Sequence, residues 1–162
     1  MKEPYTTWEG QNKEDDWKEK FGRAYLYWTL YKWLSFNAEY QYEQFERGYS
    51  GGQEGIAELK THRIPLGINF FHPLGLSAWL KATYVKQKGT FMTYEPGEEK
   101  PGEDDFWVFD TSIGYRLPKR LGLVSVGVRN LFDRHFHYQD MDSKNPTIYP
   151  ERFIFGRLTL AL

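Results

Sequence analysis

The residues best suited to chemistry lie near the C-terminus, where His135 and His137 stand two apart beside Asp133, Asp140 and Asp142. Residues i and i+2 of a strand share a face, so the two imidazoles have the geometry of a metal-ligand pair. The commoner use of such a stretch is a solvated strand extension. A second cluster, Glu95, Glu98, Glu99, Glu103, Asp104 and Asp105, carries enough charge to attract cations but lacks the ligand spacing of a calcium loop. Cysteine is absent, which removes thiolate sites and disulfides. No catalytic constellation stands out. The expectation is a chain that is not an enzyme and carries no metal and no cofactor.

The remaining charges are more informative because they alternate with apolar residues. Arg23, Glu39, Glu43, Arg63, Lys81, Asp110, Arg116, Arg129 and Arg157 each sit on the opposite side of a strand from Leu26, Trp28, Ile64, Leu66, Ile68, Leu80, Val124, Val126, Val128, Leu158, Leu160 and Leu162. In LVSVGVR, the valines at 124, 126 and 128 point one way while Ser125, Gly127 and Arg129 point the other. A period of two over so many segments argues strands, and no 3.6-residue period competes with it. Strands apolar on one side and charged on the other suit a membrane β-barrel, with the charged set facing the lumen and the apolar set facing lipid. Trp8, Trp17, Tyr49, Tyr94 and Tyr149 fall in or near the expected outer loops, where they suit stacking on a ligand or packing of the loops.

Bulk composition conceals this pattern. A mean hydropathy of -0.69 and a net charge of -1 look soluble. The aromatic content of 19%, however, matches a barrel in which only alternate residues meet lipid and aromatic girdles mark the interfaces. No apolar run reaches the ~18 residues of a transmembrane helix. The near-neutral balance gives no nucleic-acid footprint.

Seven strands are expected, beginning near Arg23 and ending at the C-terminus, with residues 1–18 a polar extracellular loop and 19–162 the barrel strands. Short turns at 31–35, 72–75 and 118–122 alternate with longer polar loops at 48–55, 94–105 and 140–150, the rhythm of short periplasmic turns and long outer loops. A further strand within residues 4–10 would need the charged stretch 11–18 as its connection. Seven strands leave two open edges, which lipid does not tolerate, so the chain reads as an incomplete barrel, a segment of something longer. The opening Met1-Lys2-Glu3-Pro4 has no apolar signal region, and an outer-membrane protein must be exported, so the expectation is either a segment of a longer protein or a chain that is not in the membrane.

The run GVRNLFDRHFHYQD, a loop, and then YPERFIFGRLTLAL resembles the C-terminal end of TonB-dependent outer-membrane receptors. The family pattern falls on Asn130, Leu131, Phe132 and Asp133, followed by an aromatic at Phe136 or Tyr138, and on Pro150-Glu151-Arg152 opening the last strand. The resemblance is specific over about residues 105–162 and architectural upstream. It implies a barrel of about twenty-two strands with a plug in its lumen, placed in the bacterial outer membrane by the barrel-assembly machinery. It also implies import of a scarce small molecule such as a siderophore, cobalamin or glycan, with TonB engaged through regions upstream of this segment. Leu162 departs from the aromatic residue that usually ends the family's last strand.

Two other readings stay open on the sequence. One is a passive porin or export-pore barrel. The other is a soluble antiparallel β protein that binds carbohydrate through exposed aromatics, which would need a second sheet to cover Leu26, Trp28, Ile64, Leu66, Val124, Val126, Leu158 and Leu160.

Overall fold

A computed structural model describes residues 2–6, 12–48, 55–92, 99–138 and 148–160. All regular structure among them is extended, apart from one 3-10 turn at Pro118–Arg120. The strands are β1 (Lys2–Thr6), β2 (Asn12–Tyr31), β3 (Leu34–Arg47), β4 (Gly55–Phe71), β5 (Leu76–Met92), β6 (Glu99–Arg116), β7 (Gly122–Arg129) and β8 (Phe153–Leu160). They form one up-and-down antiparallel sheet in chain order, seven long strands plus the short β1. Among the described residues the sheet is not closed, and β1 and β8 are its edges.

Two expectations are corrected. The polar segment 1–18 is not a loop throughout: Lys2–Thr6 pairs antiparallel with Asn12–Asp16, and β2 then runs on through residues 17–18. The expected loop 94–105 likewise gives up its second half to β6, which begins at Glu99. Charged residues have low strand preference by themselves, but a neighbouring antiparallel strand already in register offers every second one a pair of ladder hydrogen bonds. The strands therefore extend past the end of the alternating pattern. β4 is continuous through Pro65.

Turn chemistry sets the short connections. His72-Pro73-Leu74-Gly75 closes with the Gly75 N–H donating to the His72 carbonyl at 2.9 Å. Gly75 has φ +93°, a value that favours glycine. The Gly75 carbonyl then accepts the Arg116 N–H at 2.9 Å, tying this turn to the end of β6. Register across the last three strands keeps the faces aligned. Ile113 pairs with Val126, which pairs with Gly156; Tyr115 pairs with Val124, which pairs with Leu158.

The chain divides into two compact units. The first takes Met1–Arg23, Gln41–His62 and Lys86–Asp105; the second takes Ala24–Tyr40, Arg63–Val85 and Phe106–Leu162. In the first, Leu59 is buried, the Gln87 amide donates to Thr61 Oγ1 at 2.8 Å, and Trp17 lies against Phe45 at 6.1 Å. The buried cluster of the second is Val85, Phe106, Val108 and Ile148, with Phe136 and Tyr138 packed on it. Phe106 and Phe136 stack at 4.1 Å, 5° from parallel.

Candidate functional site on the polar face

Burial in the second unit is inverted relative to a water-soluble sheet. Of the residues expected to face lipid, Leu26, Trp28, Leu66, Ile68, Leu80, Val124, Val126, Leu158 and Leu160 are exposed, with Val126 at 58% and Leu158 at 62%. Ile64 and Val128 are half-exposed, and Leu162 lies outside the described residues. On the opposite face Arg63, Asp110, Ser112 and Thr83 are buried. Glu39, Lys81 and Arg129 are half-buried, while Arg116 and Arg157 are exposed on the last strands. In the first unit Glu43 is half-buried and Arg23 is exposed.

The apolar face has definite limits along the chain. On β5 the outward residues run Leu76, Ala78, Leu80, Ala82, Tyr84 and then change to Lys86 and Lys88. On β6 they run from Trp107 to Tyr115, preceded by Asp105. Both apolar runs are close to the ~9–11 residues a tilted strand needs to cross a bilayer. Aromatics mark both limits. Tyr84 and Trp107 lie 5.3 Å apart at one, and Tyr31, Trp33 and Phe70 cluster at the other.

The polar face gathers charged residues of four neighbouring strands around Lys81 of β5. Lys81 lies in the fields of Asp110, Arg129, Arg63 and Glu39. Asp110 is the anchor, with its Oδ2 3.0 Å from the Arg129 guanidinium and its Oδ1 accepting the Asn130 backbone N–H at 2.9 Å. Arg129 also lies over the Trp79 ring at 5.1 Å and near the Phe155 ring at 5.7 Å, so two aromatic faces flank its charge. Gly127 leaves the space for this: a Cβ there would come 2.5 Å from the Phe155 ring and 3.0 Å from Ser112 Cβ. Trp79 and Phe155 were not legible as partners of Arg129, since neither is near it in sequence.

The Asn130–Asp133 tetrapeptide is a structural knot. Asn130 has φ +47° and is 1% exposed. Its Nδ2 donates to the carbonyls of Arg134 (3.0 Å), Pro150 (3.2 Å) and Tyr149 (3.3 Å), and its Oδ1 accepts the Arg134 N–H at 2.8 Å. The Leu131 N–H donates to the Phe109 carbonyl at 2.7 Å. Asp133, with φ +54°, accepts the Arg152 N–H at 2.8 Å. Asn and Asp tolerate the left-handed region and bond locally to backbone, which is why these types stand here. Phe132 turns the other way, 67% exposed, edge-on to Phe109 at 5.3 Å. Leu131 is half-buried.

His135 and His137 are exposed while the intervening Phe136 and the following Tyr138 pack on Phe106. The histidines are thus the solvent side of an alternating segment. Among the described residues no three His, Cys, Asp or Glu converge as metal ligands, and Asp140 and Asp142 lie outside them. Of the aromatics expected in outer loops, Trp8, Tyr49 and Tyr94 lie outside the described residues, Trp17 lies within β2, and Tyr149 stacks on Phe153 at 5.3 Å.

In the first unit, an exposed ion-pair group joins β5 to β6, where Glu103 meets Lys88 at 2.8 Å and Lys86 at 3.3 Å, and within β4 Glu58 meets Lys60 on the same face. Hydrogen bonds from Lys88 and then Lys86 hold the Glu103 carboxyl below its ordinary value, and the Lys60 ammonium does the same for Glu58. An open cavity of about 390 Å³ in the second unit is lined by His72, Ser77, Arg116 and Thr159 together with apolar and glycine positions. The chain matches no family model, no curated protein and no solved structure.

Proposed function

We propose that the chain is the C-terminal strand segment of a TonB-dependent receptor in the bacterial outer membrane. Its apolar face lies against lipid, and its charged face lines the passage for a scarce small molecule such as a siderophore, cobalamin or glycan. The observation that carries this reading is the inverted burial of the second unit, with Val126, Leu158, Leu26 and Trp28 outward and Asp110, Arg63 and Ser112 inward. A fully buried Leu, Ile or Val side chain is worth ~1.5–3 kcal/mol. The nine exposed members of the apolar set therefore leave on the order of 10 kcal/mol unrealised in water, comparable to the whole stability of an ordinary domain. Lipid recovers it.

The open sheet is consistent with a segment of a larger barrel, because unpaired edges are costly in hydrocarbon. The Asn130–Asp133 knot explains why the tetrapeptide that carries the family resemblance has those residue types. Barrel assembly, lipid and, through upstream regions, TonB are the partners this reading requires.

The test is fractionation after expression behind a secretory signal. The reading predicts that the chain sediments with outer membranes and resists extraction by alkali. A folded monomer in the soluble fraction contradicts it and favours the soluble carbohydrate-binding alternative. Gel migration without boiling separates two further cases: a faster band means closure by self-association, and an unshifted band means the sheet stays open.

A further inference from the structure

We infer that the rim of the second unit formed by its short turns is a contact surface for anionic phospholipid headgroups. This rests on the membrane reading above and goes beyond it by fixing the charge of the lipid. The turn segments 31–35, 71–76 and 116–122 hold Lys32, Arg116, Lys119 and Arg120 and not one carboxylate, in a chain with 22 Asp and Glu. Lys32 occupies the turn between β2 and β3, and Lys119 stands in the turn before β7 with φ +57°. Both are exposed, and neither forms an ion pair among the described residues.

The surroundings of the lysines select lipid over an acidic polypeptide. Lys32 lies between Tyr31 and Trp33, whose rings stack at 5.3 Å, and Trp33 meets Phe70 of the apolar face at 5.8 Å. Leu74 is 77% exposed at the tip of its turn, and Leu121, beside Lys119, is 56% exposed. Aromatic rings, bare leucines and ammonium groups within a few residues match the boundary between acyl chains and headgroups, where long lysine stems reach outward to phosphate. An acyl layer takes up Leu74 and Leu121 wherever they enter it, whereas a carboxylate-bearing protein would need an apolar pocket matched to each beside its charges.

The test uses the whole 162-residue chain and two vesicle preparations, phosphatidylcholine alone and phosphatidylcholine containing phosphatidylglycerol, with binding read by flotation and tryptophan fluorescence. The inference predicts tighter binding to the phosphatidylglycerol vesicles, a preference that shrinks at high salt. In K32Q/K119Q the preference falls by about fivefold per lysine removed, while binding to phosphatidylcholine is unchanged. Equal binding to both vesicles, or an undiminished preference in K32Q/K119Q, overturns the inference and leaves the membrane reading standing. Binding to neither preparation overturns both.

Discussion

Asp110, in β6, accepts the backbone N–H of Asn130 at 2.9 Å, fixing the point at which the chain leaves β7. The same carboxylate holds Arg129, and Asn130 in turn holds the carbonyls at Tyr149 and Pro150 just before β8. One buried asparagine thus ties the end of β7 to the residues that open β8.

Replacing Asn130 should be costly by two separable routes. Asn130→Gly keeps access to the φ of +47° but loses the side-chain bonds; Asn130→Ala loses both. We expect Asn130→Gly to lose about 1–3 kcal/mol and Asn130→Ala about 1 kcal/mol more, read as urea midpoints in detergent micelles. Equal stability of Asn130→Ala and the parent would contradict the assignment of the knot.

The Asp110–Arg129 pair should behave as a coupled unit. Asp110→Asn retains an acceptor for the Asn130 N–H, whereas Asp110→Ala leaves both partners without it, so the alanine variant should be the less stable. In a double-mutant cycle with Arg129→Gln, the pair should show a coupling of about 1 kcal/mol or more. Additive losses would mean that the ion pair contributes nothing.

Gly127 should resist enlargement because of Phe155. A Cβ at 127 meets the ring at 2.5 Å, so Gly127→Ala is expected to lose about 1–3 kcal/mol. Phe155→Ala in the same chain should recover part of that loss. Failure of the second change to recover any of it would place the strain elsewhere, with Ser112 the next neighbour at 3.0 Å.

The ion pairs of the first unit give a pH dependence of definite sign. Glu103 and Glu58 have folded-state values below the ordinary 4.5, so their contribution is present above 4.5 and is lost as pH falls through the lowered values. The Lys60 ammonium is raised above 10.5 by Glu58, so the contribution of that pair is also lost as pH rises through the raised value. Thermal midpoints of the parent and of Glu103→Gln should differ near neutrality and converge in acid. The difference should be small, since these groups are exposed and screened by salt.

The strands with alternating residues were legible because period two is unambiguous: Leu76 to Tyr84 lie within β5 and Val124 to Val128 within β7. β1, the start of β2 and residues 99–105 of β6 were not, since they owe their strand form to a paired neighbour and carry no one-sided apolar stripe. Of the charged set read from the alternation, Glu39, Arg63, Asp110 and Arg129 gather around Lys81 while Arg23, Arg116 and Arg157 are exposed, and the wiring of the gathered group was not legible. Arg129 meets Asp110 across adjacent strands, and Asn130 reaches Pro150 across twenty positions, distances that alternation alone does not encode. The inward packing of Phe136 and Tyr138 had a faint signal in their spacing between exposed histidines.

The most direct test of the account uses the absence of native cysteine. Single cysteines at Ser125 and Val126, spin-labelled in the lipid-reconstituted chain, report adjacent positions on opposite faces of β7. The account predicts a label at 126 open to oxygen dissolved in the bilayer and shielded from a water-soluble nickel chelate, with the reverse at 125. Chelate access at both positions, or burial of 126 away from both probes, would contradict the claim that the apolar face meets lipid.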